Sequence, residues 1–256
     1  MSDKWFLRLD AKPNPRLRVF CFPYAGGNAA IFSSWAKNML PGVELVAIQP
    51  PGRSNRMIES LYSEMQPLVE DLKSAFQRFT DTPFVFFGHS LGSRVAFELA
   101  KQLIIENKRS PDHFIASGSA APHLMRESCK AHTLPKAEFL ARVKSLNGTP
   151  EELLNNPEIM DMLLPMLRAD FKIASEYRSN TFKISCPISV LYGTRDSISK
   201  SNVEAWKDLT HDYQGATPID GDHFFLTSNP QTTIECLNSV CRKTLQANLH
   251  IEPKKA

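Results

Sequence analysis

Phe84-Val85-Phe86-Phe87-Gly88-His89-Ser90-Leu91-Gly92-Ser93-Arg94-Val95-Ala96-Phe97 changes its period halfway along. The first four residues are all apolar, which suits a strand covered on both faces in a parallel sheet. From Leu91 the apolar positions recur at helical spacing, so a helix is expected over about 91–106. Between the two stands G-x-S-x-G, with glycines where strand and helix must approach each other closely. Buried strand, tight turn and helix in direct succession are the unit of an α/β fold.

Outward from this unit the pattern repeats. Short apolar runs at 17–22, 43–48, 114–117, 188–192 and 216–219 read as further strands. Amphipathic stretches at about 67–79 and 201–209 read as helices. The second opens on Ser201 with Glu204 three residues on, the signature of a capping box. Alternating strands and helices predict a doubly wound, mostly parallel sheet.

The alternation lapses from about 120 to 185, where helix starts appear instead of strands. Thr149-Pro150-Glu151-Glu152 offers one start and Asn156-Pro157 another. Ile159, Met162, Leu163, Met166, Leu167, Phe171 and Ala174 then recur at helical spacing, and Pro165 is expected to kink or split the segment. The expectation is one domain spanning 1–256, with a helical lid inserted at about 120–185.

A serine on such a turn is exposed at the top of the sheet, and G-x-S-x-G there is the nucleophile elbow of α/β-hydrolases. A serine hydroxyl needs a base, and the base needs an orienting acid; in this fold they follow in the order Ser, Asp or Glu, His. His223, in Gly221-Asp222-His223-Phe224-Phe225, follows the last expected strand and is the candidate base. His89 is too close to Ser90 to face its hydroxyl and is expected to bond locally; His123 and His132 are weaker rivals. Asp196 ends the strand Ile188-Ser189-Val190-Leu191-Tyr192 and is the candidate acid. Asp222 adjoins His223 but is badly placed to reach its ring, and Asp170, within the expected lid, is expected to face solvent. Phe22-Pro23-Tyr24-Ala25-Gly26-Gly27 follows an early strand and can turn a backbone N–H towards a reacting carbonyl. Pro23 has none, so Tyr24 or Ala25 is the donor, with Ala25 preferred; Leu91, the residue after the serine, supplies the second.

Composition narrows the partners. With 30 Lys and Arg against 27 Asp and Glu, net charge +3, nucleic acid and membrane surfaces are not expected. No run approaches the roughly 18 apolar residues of a membrane span, and charges interrupt 1–8 before a signal core forms. Five scattered cysteines, without a C-x-x-C pair, suggest neither a disulfide framework nor zinc. A cytoplasmic monomer without metal or other cofactor is expected.

These motifs together resemble type II thioesterases that accompany nonribosomal peptide and polyketide synthases. Besides the elbow, the matching stretches are Cys21-Phe22-Pro23-Tyr24-Ala25-Gly26-Gly27, Pro50-Pro51-Gly52-Arg53, Leu164-Pro165-Met166-Leu167-Arg168-Ala169-Asp170-Phe171, Tyr192-Gly193-Thr194-Arg195-Asp196 and Gly221-Asp222-His223-Phe224-Phe225. The resemblance implies hydrolysis of thioesters between acyl groups and the phosphopantetheine arm of an acyl or peptidyl carrier protein, with Ser90, Asp196 and His223 on the family's triad positions. The apolar face of the insertion can form an acyl chamber, with Met125, Met160, Met162 and Met166 as candidate linings, at least half of which are expected to hold the lid's own core instead. Arg53, Arg56 and Arg126 are read as solvated surface arginines, or alternatively as docking charges for an acidic carrier. A general carboxylesterase or lipase, a non-catalytic carrier-binding subunit and an acyl transferase are the competing readings.

Overall fold

The computed structural model describes residues 4–124, 130–146, 148 and 151–249. Seven strands form one sheet: β1 (Phe6–Arg8), β2 (Leu17–Phe22), β3 (Val43–Ile48), β4 (Phe84–His89), β5 (His113–Ser117), β6 (Ile188–Gly193) and β7 (Tyr213–Ile219). Their spatial order is β1-β3-β2-β4-β5-β6-β7. Every pair is parallel except β1 with β3. The helices are α1 (Met65–Phe76), α2 (Leu91–Ile105), α3 (Lys136–Ser145), α4 (Glu151–Leu154), α5 (Pro157–Glu176), α6 (Lys200–Glu204), α7 (Phe225–Ser228) and α8 (Pro230–Leu249).

The period of two along each strand divides the apolar side chains between two cores. Phe20, Phe22, Val46, Ile48, Phe84, Phe86, Phe114 and Val190 face α1 and α2 in one cluster. Val19, Cys21, Leu45, Ala47, Val85, Phe87 and Ile115 face the 3₁₀ segment Ala29–Asn38 and α8 in the other. Phe20, Phe84, Phe86 and Phe87 are all fully buried. Burying one phenylalanine contributes about 1.5–3 kcal/mol, and ring pairs such as Phe20–Phe76, centroids 4.8 Å apart, add edge-to-face contacts. A strand carrying apolar residues at every position can only be satisfied in this middle layer.

Four of the departures from the sequence reading bear on the elements themselves. The three-residue β1 was not anticipated; its Arg8 donates to Glu44 at 2.8 Å, an ion pair across the antiparallel edge. β7 begins at Tyr213 instead of 216. The cap of α6 is Ser199, whose side chain accepts from Asn202 N–H at 3.3 Å, so Ser201 lies inside the helix. Finally, α5 continues unbroken through Pro165. The carbonyl deprived of a donor is that of Asp161, and both residues are exposed, so water can replace the lost bond. Asn156 caps α5 as expected, accepting from Ile159 N–H at 3.1 Å. Thr149 and Pro150 lie outside the described residues; α4 follows them.

The chain goes one way from β2 to β3 and returns across the sheet to β4. Strand direction of travel therefore reverses between β2 and β4, and the crevice at the carboxyl ends there is where open α/β sheets bind ligands. Between β5 and β6, α3, α4 and α5 build a small core of their own around Phe139, Val143, Met160, Met166 and Leu167.

Candidate active site

Ser90 lies at the carboxyl end of β4 with φ 55° and ψ −115°, a conformation costly for a residue with a Cβ. The surroundings hold it there. Its N–H donates to Ser117 O at 2.8 Å, across to the end of β5. A Cβ on Gly88 would come within 2.5 Å of Gly92 O and Ser93 N, and one on Gly92 within 2.1 Å of Phe22 O. Glycine is therefore required at both positions: the first lets the strand fold back onto α2, the second lets α2 touch the end of β2. Ser93 Oγ closes the turn, donating to Gly88 O at 2.6 Å.

His223 reaches the serine from the loop after β7, with Nε2 3.0 Å from Ser90 Oγ. Its Nδ1 lies 2.7 Å from Asp196 Oδ2, at the end of β6. The Asp196 side chain is almost fully buried, 1% exposed, while that of His223 is 21% exposed. A carboxylate only accepts, so Nδ1 carries the proton and Nε2 is left free to accept from the serine hydroxyl. Asp196 is itself steadied by Ile198 N–H, which donates to Oδ1 at 3.1 Å. The order of strands in the sheet explains the meeting: β4, β5, β6 and β7 are successive neighbours, and all end on the same edge.

His89 is bonded, as expected, but to partners far away in sequence. Its Nε2 is 2.9 Å from His223 O and its Nδ1 2.8 Å from Ser117 Oγ. The carbonyl can only accept, so His89 is protonated on Nε2 and receives the Ser117 hydroxyl on Nδ1. Burial, and then the neighbouring His223 ring, push the His89 imidazole well below the usual histidine range. It is thus a neutral strut under the His223 loop. Gly118 makes room for it, since a Cβ there would meet the His89 ring at 2.5 Å. His123 and His132 lie apart, against Asp208 and Glu176.

The loop carrying Ala25 is a tight turn in which Gly27 N–H donates to Tyr24 O at 2.9 Å. Gly26 takes φ +80°, which a turn of type II demands at its third residue. Ala25 N–H and Leu91 N–H are unspent within the described residues, and Leu91 opens α2, where the helix dipole favours negative charge. A cavity of about 200 Å³ is lined by Ser90, Leu91, Arg94, Arg142 and His223. A second, of about 410 Å³, lies between the 24–28 loop and α5, with Ile159, Met162, Leu163, Met166 and Leu167 on its wall. Of the methionines expected at such a chamber, Met162 and Met166 line it, Met160 belongs to the inner core of the insertion, and Met125 lies outside the described residues.

Three charges sit otherwise than the sequence suggests. Asp170 is buried, 4% exposed, and accepts from both terminal guanidinium nitrogens of Arg53, Nη1 at 2.6 Å and Nη2 at 2.9 Å. Arg53 is equally buried, as is Arg56, which stacks over the Trp5 ring at 4.4 Å and donates to Gln49 O. Neither arginine is a surface charge, because each has a fixed acceptor beneath the surface; Arg126 lies outside the described residues. Among the described residues no group of three or more His, Cys, Asp and Glu side chains is placed to hold a metal ion, and no helix is long and apolar enough to cross a membrane.

A thioesterase domain model matches residues 17–241, from β2 into α8. The chain belongs to the thioesterase family. This thioesterase is 36% identical over 245 residues to the gramicidin S biosynthesis protein GrsT of Aneurinibacillus migulanus, covering 95% of this chain and 96% of GrsT. It is 34% identical over 228 residues to thioesterase PikA5 of Streptomyces venezuelae, covering 88% and 81% of the two chains. The type II thioesterase BorB of the borrelidin biosynthetic cluster superposes with a TM-score of 0.84 at 28% identity, covering 96% of this chain and 99% of BorB. The mostly parallel sheet of the thioesterase is thus the α/β-hydrolase fold of its relatives.

Proposed function

We propose that this thioesterase hydrolyses acyl groups from the phosphopantetheine arm of acyl or peptidyl carrier proteins, in the service of nonribosomal peptide, polyketide or fatty acid synthesis. The observation that carries the reading is the continuous chain Ser90 Oγ, His223 Nε2, His223 Nδ1, Asp196 Oδ2, with links of 3.0 and 2.7 Å. The biosynthetic settings named for GrsT and BorB support the choice of carrier-bound substrates.

In the first half-reaction Ser90 Oγ attacks the thioester carbonyl carbon while its proton passes to His223 Nε2. The carbonyl oxygen becomes an oxyanion, received by Ala25 N–H and Leu91 N–H; one such donor is worth about 10²–10³ in rate. Collapse breaks the C–S bond, and the pantetheine sulfur leaves as a thiol with the proton from His223. In the second, water attacks the acyl-Ser90 carbonyl, giving its proton to the same nitrogen; collapse frees the carboxylic acid and restores the Ser90 hydroxyl. Asp196 stabilises the imidazolium in both halves without being protonated itself.

The insertion at about 120–185, through its helices α3, α4 and α5, acts as a lid on the single domain, the apolar cavity beneath α5 takes the acyl chain, and the enzyme works as a cytoplasmic monomer. The deciding experiment presents a panel of acyl-phosphopantetheinyl carriers, and an aryl ester of the same acyl group, to wild type and Ser90→Ala. Carrier turnover that exceeds ester turnover and vanishes in Ser90→Ala is expected. Equal clearance by the two proteins would sink the mechanism, and preference for the aryl ester would make the protein a general esterase. A single monomeric species in sedimentation is the expected companion result.

A further inference from the structure

The Arg-Ala-Asp-Phe element of α5 has no part in the chemistry above, yet its carboxylate is buried against the loop that carries Ala25. We propose that Asp170, held by Arg53, is a positioning residue that sets the oxyanion-binding turn and makes its geometry conditional on the docking of α5. The inference rests on the assignment of Ala25 N–H as an oxyanion donor.

Three bonds make the case. Gly26 N–H donates to Asp170 Oδ2 at 2.7 Å, Arg53 Nη1 donates to that same oxygen at 2.6 Å, and Arg53 Nη1 also donates to Gly27 O at 3.2 Å. The second guanidinium nitrogen takes Asp170 Oδ1, so the carboxylate cannot rotate away. Both peptide planes flanking Ala25 are then fixed. Tyr24 C=O, which belongs to the same peptide as Ala25 N–H, is tied to Gly27 N–H within the turn. The next peptide, Ala25 to Gly26, is tied to Asp170. In a type II turn this central peptide is flipped relative to type I; a flip back would remove Gly26 N–H from the carboxylate and bring a carbonyl oxygen towards it. The negative charge thus selects one of two backbone states.

Turn and carboxylate lie 144 positions apart in sequence, and Gly26 and Leu167 both line the apolar cavity beside their contact. Leu167, one turn earlier on α5, packs so closely on Gly26 that a Cβ there would meet its Cδ2 at 2.6 Å. Arg53 itself is held in the loop after β3, donating from Nε to Pro51 O at 3.1 Å. A buried ion pair adds little net stability over apolar side chains of similar size, so its use here is geometric. With α5 docked, the donor is aimed before substrate arrives; with α5 displaced, the turn loses its outer support.

The test compares wild type with Asp170→Asn and with the paired variant Arg53→Met/Asp170→Leu, which leaves no charge buried alone. Turnover of an acyl-N-acetylcysteamine thioester is measured together with the affinities of a trifluoromethyl ketone, which forms a tetrahedral oxyanion, and of the matching thioether, which does not. The expected result is a folded paired variant with kcat lowered roughly 10- to 100-fold, less than the loss of a whole donor. KM and thioether affinity stay within about threefold of wild type, since only transition-state stabilisation is lost, and ketone affinity falls in step with kcat. Wild-type kcat in a folded variant, or thioether affinity falling as far as kcat, overturns the proposal. Should neither variant fold, hydrogen exchange of the Gly26 amide in the wild-type protein decides: protection supports the clamp, and exchange at the rate of an open loop refutes it. Ser90→Ala is run alongside. If it turns over substrate like wild type, the proposed function itself fails; if it is inactive while the paired variant is unimpaired, only the clamp fails.

Discussion

Ser90 and Ala25 meet the same carbonyl group in the proposed reaction, but they are held in opposite ways. Ser90 is held chiefly by its own strand, turn and helix, with Gly88, Gly92 and Ser93 all within three residues of it. Ala25 sits on a turn whose outer support comes from Asp170, on a helix inserted between two later strands. The proposed nucleophile is thus set mainly by its neighbours along the chain, whereas the proposed oxyanion donor has its turn braced by a contact from the insertion. If both roles hold, a movement of α5 would alter the receiving side without disturbing the strained serine.

The largest expected effect removes the rigid side altogether. Ser90→Ala should lower turnover about 10⁴-fold or more while leaving the thermal midpoint unchanged or slightly higher, because among the described residues the hydroxyl bonds only the His223 ring, which Asp196 holds from the other side. A melting temperature that collapses together with activity would mean that Ser90 is structural. Gly92→Ala comes next and attacks the same side through packing. Its Cβ would meet Phe22 O at 2.1 Å and Pro23 O at 2.6 Å, both backbone atoms that cannot step aside. A stability loss of about 3–5 kcal/mol in chemical denaturation is expected, and a loss under about 1 kcal/mol would show the elbow to be softer than its packing implies.

Gly26→Ala probes the conditional side and should be milder. The positive φ costs about 1–2 kcal/mol, but the obstructing atom is the tip of Leu167, a side chain that can move. Roughly a tenfold loss of kcat, partly restored by Leu167→Ala, is expected if the turn is tuned by α5; no restoration would break the link between the two.

The smallest effect concerns the neutral histidines. Burial lowers the His113 imidazole to about 4 and holds that of His89 well below its ordinary range. Unfolded histidines protonate near about 6.5. The unfolded chain thus binds more protons below that value, so this stability is present above about pH 6.5 and is lost as pH falls towards the folded values, by at most about 1.4 kcal/mol per unit for each group. Denaturation series between about pH 7 and about pH 5 should show a flatter slope for His113→Gln than for wild type, by up to one proton's worth. Parallel slopes would count against a neutral buried His113.

Much of this arrangement was readable in advance, and the exceptions share a cause. Phe84-Val85-Phe86-Phe87 and the glycines around Ser90 announce a buried strand and a tight turn because those demands are met by adjacent residues. His223 and Asp196 could be chosen because each follows a strand, and parallel strands end on one edge. β1 escaped notice because three residues, Phe6-Leu7-Arg8, carry too little pattern, and its pairing depends on Glu44 in another strand. Ser199 and Ser201 can each cap a helix, and only the backbone path shows that Ser199 stands at the boundary. In the sequence Asp170 and Arg53 look like charges destined for water, the usual fate of a charge without a visible partner. Their partner was each other, 117 positions apart.

The sequence alone determined the period of the elements, the order of the chemistry-bearing residues and the need for glycine around the serine, since these are set by neighbours along the chain. Only the tertiary structure decided that His89 braces the loop of His223, that two arginines lie inside, and that Asp170 reaches the turn of Ala25. Those outcomes depend on which distant groups burial brings face to face, and a buried charge or imidazole takes its state from the partner it finds there.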